Sequence, residues 1–179
     1  MAFASITPAD SQLVSADGWT FRPEQGPESY RVHAEQLYRT LGALDLADRA
    51  ELADREGGRI CPCACDDLAV TVLVVLGEKT SALLLGPTYP SSEPARTAAA
   101  TAPPPFKLRT PNRDICVFSA SSSCLEMLTE ALQLPFRSAW RHVLSGVALG
   151  YSDADITRFC TDPRLEFEPS APVPFAVVA

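Results

Sequence analysis

The sequence has few of the residues on which enzyme active sites most often depend. Its 179 residues include two histidines, His33 and His142, and no P-loop, G-x-G-x-x-G, G-x-S-x-G or H-E-x-x-H motif. These absences argue against the common phosphate-binding loops, serine hydrolase sites and zinc peptidase helices. We therefore expect a protein that acts without catalysis, and no cofactor is expected.

Long apolar runs and a secretion signal are also missing. The longest apolar run, Leu68 to Leu76, is far shorter than the ~20 residues that a transmembrane helix needs. The opening residues MAFASITPADSQ lack the cationic start and the apolar stretch of a signal peptide. The sequence therefore predicts a soluble cytoplasmic protein without a membrane span, whose six cysteines are thiols rather than disulfides.

Positive charge is scarce as well. The chain has 22 acidic and 15 basic residues and a net charge of −7, whereas a nucleic-acid-binding surface needs a basic footprint. We therefore expect no nucleic acid partner. The stretch from Arg96 to Arg113 is the local exception, because it holds basic residues and no acidic one.

The composition of the chain is otherwise typical of a globular domain. Hydrophobic residues make up 46% of it, enough for a sizeable core, and its length favours one domain. We expect a single domain over residues 27–179, preceded by an N-terminal arm over residues 1–26. Many of the 16 prolines fall between Pro87 and Pro111, which predicts a long Pro-rich loop at about 86–113.

Helical periodicity is clearest just after Pro27, which suits the first turn of a helix. Apolar residues there recur at steps of four and three residues, at Tyr30, Ala34, Leu37, Leu41 and Leu44. Further helices are predicted from Asp45 to Gly58, after the serine-rich turn at 119–123, from Pro135 to Gly150 and from Ser152 onward. Phe136 is expected on the core face of the helix that Pro135 opens, and the last helix carries Ile156 and Phe159.

The run Leu68 to Leu76 (LAVTVLVVL) is dense in β-branched residues and predicts a buried strand. Turn residues at 77–80 and a second apolar run at 81–85 complete a predicted β-hairpin at about 68–85. A third strand is expected at about 114–118, and an edge strand near Phe175 to Val178. The order of elements predicts an α+β fold, with a small, mostly antiparallel sheet packed against four to five helices.

Three cysteines at alternate positions, Cys61, Cys63 and Cys65, precede the apolar run. In an extended chain they share one face and point in parallel, whereas zinc sites use C-x₂₋₄-C spacing, which lets two thiolates converge. The neighbouring Asp66 and Asp67 also disfavour thiolates by like-charge repulsion. We interpret the cysteines as part of a strand or its entry, and keep a thiolate metal site as a third hypothesis.

The segment ICVFSASSSCLEML predicts a strand, a serine-rich turn and a helix. The N–H groups at a helix N-terminus and nearby hydroxyls bind anions, so the candidate ligand-binding residues are Ser119, Ser121, Ser122 and Ser123. Serines at such a turn also cap helices without any ligand. The alternative hypothesis is therefore a small enzyme or an anion-binding domain that uses residues 119–124.

A cysteine nucleophile needs a histidine base within hydrogen-bond reach. The best triad that the sequence offers is Cys124, His142 and Asp114. No sequence signature brings these three residues together, so the triad is a weak candidate beside a non-catalytic function.

The favoured hypothesis is a protein–protein interaction module of the subunit, inhibitor or effector type. It would use a shaped acidic surface and the Pro-rich loop. The candidate contact residues in that loop combine aromatic anchors with basic side chains: Tyr89, Phe106, Lys107, Arg109 and Arg113. The sequence determines neither the identity of the partner protein nor the oligomeric state.

Overall fold

The computed structural model describes residues 27–56, 67–77 and 79–168, which form seven α-helices and a three-stranded antiparallel sheet. The α+β class and the small antiparallel sheet are confirmed, with more helices than the four to five expected. No helix in the described ranges is long and apolar enough to cross a membrane. In chain order the elements are α1 (Pro27–Gly42), α2 (Leu46–Glu56), α3 (Asp67–Leu76), β1 (Ser81–Leu85), α4 (Glu93–Thr101), β2 (Lys107–Arg109), β3 (Ile115–Ser119), α5 (Ser122–Ala131), α6 (Ala139–Leu149) and α7 (Asp153–Phe159).

The strands lie in the order β1-β3-β2, so β3 is central and β2 is an edge strand. The register places Leu83 of β1 opposite Val117, and Leu108 of β2 opposite Phe118. One face of the sheet, which includes Phe118, packs against α3 and α4. The other face, which includes Val117, packs against α5 and α6, while α1 covers these two helices and α2 packs on α7.

The predicted strand at 68–76 is wrong, and so is the hairpin at 68–85, because this segment is the helix α3. A continuous apolar run is compatible with either a buried strand or a buried helix. Here Val70, Leu73 and Val74 are buried at helical spacing. Gly77 ends the helix with a left-handed backbone (φ 76°), and its N–H donates to the Val74 carbonyl oxygen. Gly77, which the sequence analysis placed in a hairpin turn, therefore ends a helix.

The expected Pro-rich loop at 86–113 contains regular structure. A 3₁₀ turn (Pro90–Ser92) leads directly into α4, where Pro94 occupies the first turn and Ala95 and Ala99 are buried. After three further prolines, the chain forms β2. The prolines mark the ends of these short elements, since proline is tolerated in the first turn of a helix and between elements.

The sequence predicts the helices α1, α2, α5, α6 and α7, although α6 begins at Ala139 rather than at Pro135. Three of them begin at serine caps, because the side chains of Ser121, Ser138 and Ser152 each accept a backbone N–H at the start of α5, α6 and α7. Gly150 ends α6 with a φ of 82°, as its position in the sequence indicates. Local signals were sufficient for these helices.

Two aromatic side chains lie at the surface, and one of them, Phe136, was expected in the core. Phe136 is 71% exposed and Phe159 is 44% exposed. Phe136 precedes the cap of α6, so it does not share the stripe of that helix, which buries Trp140 and Val143. In α7 the buried apolar position is taken by Ile156.

Several predictions fall on residues outside the described ranges. They are the N-terminal arm over residues 1–26, the placement of Cys61, Cys63 and Cys65, and the edge strand near Phe175 to Val178. These stay predictions from sequence.

Candidate functional site

The serine-rich turn between β3 and α5 is held by hydrogen bonds within the protein. The buried Ser119 hydroxyl donates to the Thr80 carbonyl oxygen (2.7 Å) and accepts from the Ser81 hydroxyl (3.0 Å). It also accepts from the Ser121 N–H (3.0 Å). Ser121 in turn caps α5 by accepting the Cys124 N–H (3.3 Å). Ser119 and Ser121 therefore stabilise the turn through hydrogen bonds within the protein.

The other two serines of the turn lie in the first turn of α5. Ser122 is exposed, and its hydroxyl accepts a hydrogen bond from the Lys107 ammonium group (3.2 Å). Ser123 is partly exposed. The predicted anion site thus reduces to Ser122, Ser123 and the neighbouring Lys107, at the edge of the sheet.

The structure gives the three residues of the candidate triad separate partners. Cys124 is fully buried, and burial raises the pKa of its thiol, which is the opposite of what a nucleophile needs. The Nε2–H of His142 donates to the carbonyl oxygen of Phe136 (2.7 Å), because a carbonyl oxygen can only accept. A carboxylate oxygen of Asp114 accepts from the Thr88 hydroxyl (3.0 Å). These contacts do not assemble a Cys-His-Asp site.

The thiolate metal hypothesis gains no support from the part of the chain that the structure describes. Within residues 27–56, 67–77 and 79–168, no group of three His, Cys, Asp or Glu side chains is placed to hold a metal ion. The three cysteines of the hypothesis lie outside these ranges. The described cysteines are buried free thiols: Cys116, Cys124 and Cys160.

Three exposed cations lie along β2 and the turn that follows it, and we call Lys107, Arg109 and Arg113 the basic edge. Lys107 and Arg109 share one face of the strand because side chains alternate along an extended backbone. Among the described residues, none of the three forms an ion pair. In a protein with a net charge of −7, the basic edge is therefore a local excess of positive charge.

An open cleft with a volume of about 470 Å³ lies beside the basic edge. One Arg96 guanidinium nitrogen donates to the carbonyl oxygens of Leu85, Gly86 and Tyr89 at 2.8–3.0 Å. Arg96 therefore stabilises the turn after β1 through these hydrogen bonds, and it forms part of the cleft wall. The lining residues are Pro87, Pro90, Glu93, Arg96, Thr97, Ala100 and Leu108.

The two aromatic candidates of the predicted contact segment have different environments. Phe106 stacks on Phe118 (5.7 Å between ring centroids) and is partly buried against the core, so it supports the sheet. Tyr89 is 42% exposed next to the cleft-lining Pro90. Of the two, Tyr89 is therefore the side chain that is accessible to a partner.

A second surface feature was missed by the sequence interpretation. The exposed rings of Phe136 and Phe159 flank His142, with ring centroids 5.5 Å and 4.7 Å from the imidazole. The Arg141 guanidinium lies 5.5 Å from the Phe136 ring. The position of Phe136 before the Ser138 cap was a usable signal, because residues ahead of a cap leave the helical stripe.

No protein-family model, no curated protein sequence and no solved structure matches this chain. Its function is therefore argued from the exposed charges and the cleft described above.

Proposed function

We propose that this protein is a non-catalytic interaction module that binds an acidic segment of another protein at the basic edge. The observation that carries the proposal is the set of exposed cations Lys107, Arg109 and Arg113, which have no ion-pair partner among the described residues. Complementary charge steers two proteins together and fixes their relative orientation. The remaining acidic surface would repel acidic partners elsewhere on the molecule.

The cleft beside the basic edge supports the same proposal. It is lined by apolar atoms of Pro87, Pro90 and Leu108, and Tyr89 stands exposed at its side. Partly exposed aromatic and aliphatic side chains next to charged groups are typical of contact sites, in which a few residues supply most of the affinity. We infer that charge selects the partner and that the cleft takes one of its apolar side chains.

The expected location of the protein and the alternative anion site both bear on this proposal. A cytoplasmic location is consistent with the buried free thiols Cys116, Cys124 and Cys160, since disulfides are rare in that compartment. The alternative, a small-anion site at Ser122 and Ser123, would use Lys107 as well. A competing anion such as inorganic phosphate would then weaken partner binding.

The proposal is tested by affinity purification of partners with the wild-type chain and two charge-matched variants. The first is Lys107→Glu with Arg109→Glu, which reverses the basic edge. The second is Arg39→Glu with Arg137→Glu, which makes the same change of net charge at exposed arginines elsewhere. Quantitative mass spectrometry of the captured proteins, followed by binding measurements with each purified candidate, gives the readout.

We expect to find an acidic partner that the wild type and the Arg39→Glu/Arg137→Glu variant bind equally. The basic-edge variant should bind it roughly tenfold more weakly, since two exposed charge pairs contribute up to ~1 kcal/mol each. All three proteins should unfold at the same temperature. Equal binding by all three variants would contradict the proposal.

A further inference from the structure

The hydrogen-bond pattern of the sheet fixes which main-chain groups lie on its open edges. The Gly86 N–H donates to the Asp114 carbonyl oxygen (2.8 Å), one position beyond the last pair of the β1–β3 ladder, so Gly86 directs its N–H toward the β3 side. The Leu85 N–H instead donates to an Asp67 carboxylate oxygen (2.8 Å), away from β3. In an antiparallel pair, hydrogen-bonded and non-hydrogen-bonded positions alternate. Leu85 and Ile115 are therefore a non-hydrogen-bonded pair.

This alternation continues along β3 and determines the orientation of β2. Like Ile115, the residues Val117 and Ser119 direct their N–H and C=O groups away from β1 and toward β2. They face Arg109 and Lys107, which are thus hydrogen-bonded to the sheet. Leu108, between them, points its N–H and C=O groups out of the sheet.

The outward groups of Leu108 are unpaired within the described residues. No described residue forms a hydrogen bond with the N–H or the C=O of Leu108. On the opposite edge of the sheet, both outward groups of Leu85 are used, because its N–H donates to the Asp67 carboxylate and its carbonyl oxygen accepts from Arg96. By the same alternation, the outward groups of Leu83 on that edge also have no partner among the described residues. An exposed donor and acceptor on one edge residue are the groups with which an added strand pairs.

The side chains of β2 define what such a strand would carry. Leu108 points to the same sheet face as Phe118 and lines the cleft, whereas Lys107 and Arg109 point to the other face. A residue paired with Leu108 shares its face, and the two neighbours of that residue share the face of Lys107 and Arg109. The complementary segment is therefore acidic, apolar, acidic at successive positions.

We propose that the partner binds by β-strand addition, as an extended acidic-apolar-acidic segment that pairs antiparallel with β2 and exchanges two main-chain hydrogen bonds with Leu108. This inference rests on the proposed function and specifies its chemistry. A second copy of β2 would place Lys107 and Arg109 opposite the same two cations, so like-charge repulsion disfavours self-pairing. The occupant is therefore a segment of a different, acidic protein.

The probe is the capped heptapeptide acetyl-Ser-Thr-Asp-Val-Asp-Thr-Ser-amide, titrated into the ¹⁵N-labelled full chain and followed by NMR. We expect saturable binding in which the amide signal of Leu108 shifts most. N-methylation of the central Val nitrogen should weaken binding roughly tenfold, because it removes a hydrogen bond to Leu108. N-methylation of the following Asp nitrogen is the matched control, since that N–H points away from β2, and it should leave the affinity unchanged.

Variants of the protein supply the reciprocal test. Leu108→Pro removes the outward N–H, and a proline is tolerated on an edge strand where its nitrogen faces away from the ladder. It should weaken peptide binding roughly tenfold relative to Leu108→Ala, which keeps the N–H. If Leu108→Pro fails to fold, the pair of N-methylated peptides still decides the question.

The outcomes separate this inference from the proposed function. Equal affinity for both N-methylated peptides overturns strand addition, and so does the absence of peptide binding at millimolar concentration. In either case the proposed function stands if the purified partner still requires Lys107 and Arg109. A dimer at the concentrations used, seen by analytical ultracentrifugation and lost in Leu108→Pro, would assign the edge to a second copy and overturn the inference.

Discussion

Cys124 and Cys160 show how burial sets the chemistry of single residues in this protein. Both side chains are inaccessible to solvent. Burial raises the pKa of the Cys124 thiol, and it raises the pKa of Cys160 to about 12 although Arg49 nearby acts in the opposite direction. A thiol with such a raised pKa is neutral at physiological pH and behaves as a small apolar side chain.

We therefore expect Cys116, Cys124 and Cys160 to resist iodoacetamide at pH 8 in the folded protein. Alkylation requires access to the sulfur atom, and all three thiols are buried. Peptide mapping by mass spectrometry should find these three unmodified before denaturation and modified after it. Rapid native modification of Cys124 would reopen the case for a reactive cysteine.

His142 gives a second prediction at this scale. Burial lowers the pKa of its imidazole below 6.5, Arg141 lowers it further, and the Phe136 carbonyl and Asp162 partly compensate. The unfolded chain therefore binds a proton more readily than the folded one. The neutral imidazole of His142 therefore favours the folded state above pH 6.5. This stabilisation is lost as the pH falls from about 6.5 toward the lower pKa that His142 has in the folded protein.

The measurement is urea unfolding between pH 8 and pH 5 for the wild type and His142→Gln, in which an amide N–H keeps a donor for the Phe136 carbonyl. We expect the wild type to lose more stability over this interval than the variant does. Parallel pH profiles for the two proteins would show that His142 is protonated equally in the folded and unfolded states.

At the scale of elements, the contact between α6 and α7 depends on a glycine. A Cβ atom at Gly146 would lie 2.6 Å from Cγ1 and 2.9 Å from Cδ1 of Ile156. Gly146 is buried inside α6, where alanine has the higher helix propensity by about 1 kcal/mol. Close packing between two helices therefore outweighs propensity at this position.

Gly146→Ala should lower the free energy of unfolding by up to about 2 kcal/mol, because overpacking a core costs about 1–3 kcal/mol and the gain in helix propensity offsets about 1 kcal/mol of it. Urea unfolding measures the change. Ile156→Ala is the matching variant, and the double variant should lose less than the sum of the two single losses since the clash has gone. If the two single losses simply add in the double variant, the added methyl group at position 146 does not clash with Ile156.

At the scale of the whole molecule, charge is distributed unevenly. A net charge of −7 coexists with the basic edge on β2 and the following turn. A net negative charge repels other acidic molecules, whereas the proposed function requires the basic edge to attract an acidic segment locally. Because surface pairs are screened within about 8 Å at physiological salt, the association proposed above should weaken as salt is raised.

Native mass spectrometry of the full chain tests the third hypothesis, which concerns Cys61, Cys63 and Cys65. From their spacing we expect the mass of the chain with six thiols, unchanged by a chelator, for protein purified under reduction from metal-replete medium. A stoichiometric metal mass that disappears with the chelator and in Cys63→Ser would contradict this interpretation.

Predictability from sequence differed between particular elements. Local signals located α1, with its Pro27 start, and α6, with its Gly150 stop. They misassigned α3, because a run of valines and leucines fits a buried strand as well as a helix, and they missed α4 among the prolines. The candidate contact residues Lys107 and Arg109 were predicted as part of a basic segment, but their placement on an edge strand was not.

The sequence by itself determined the order of most helices, the acidic balance and the basic stretch from Arg96 to Arg113, since caps, periodicity and charge are properties of neighbouring residues. Tertiary structure alone decided that Asp67–Leu76 is a helix, that Arg96 fastens a turn and that Leu108 presents its main chain outward. These depend on strand register and burial, which arise from contacts between residues distant in the chain.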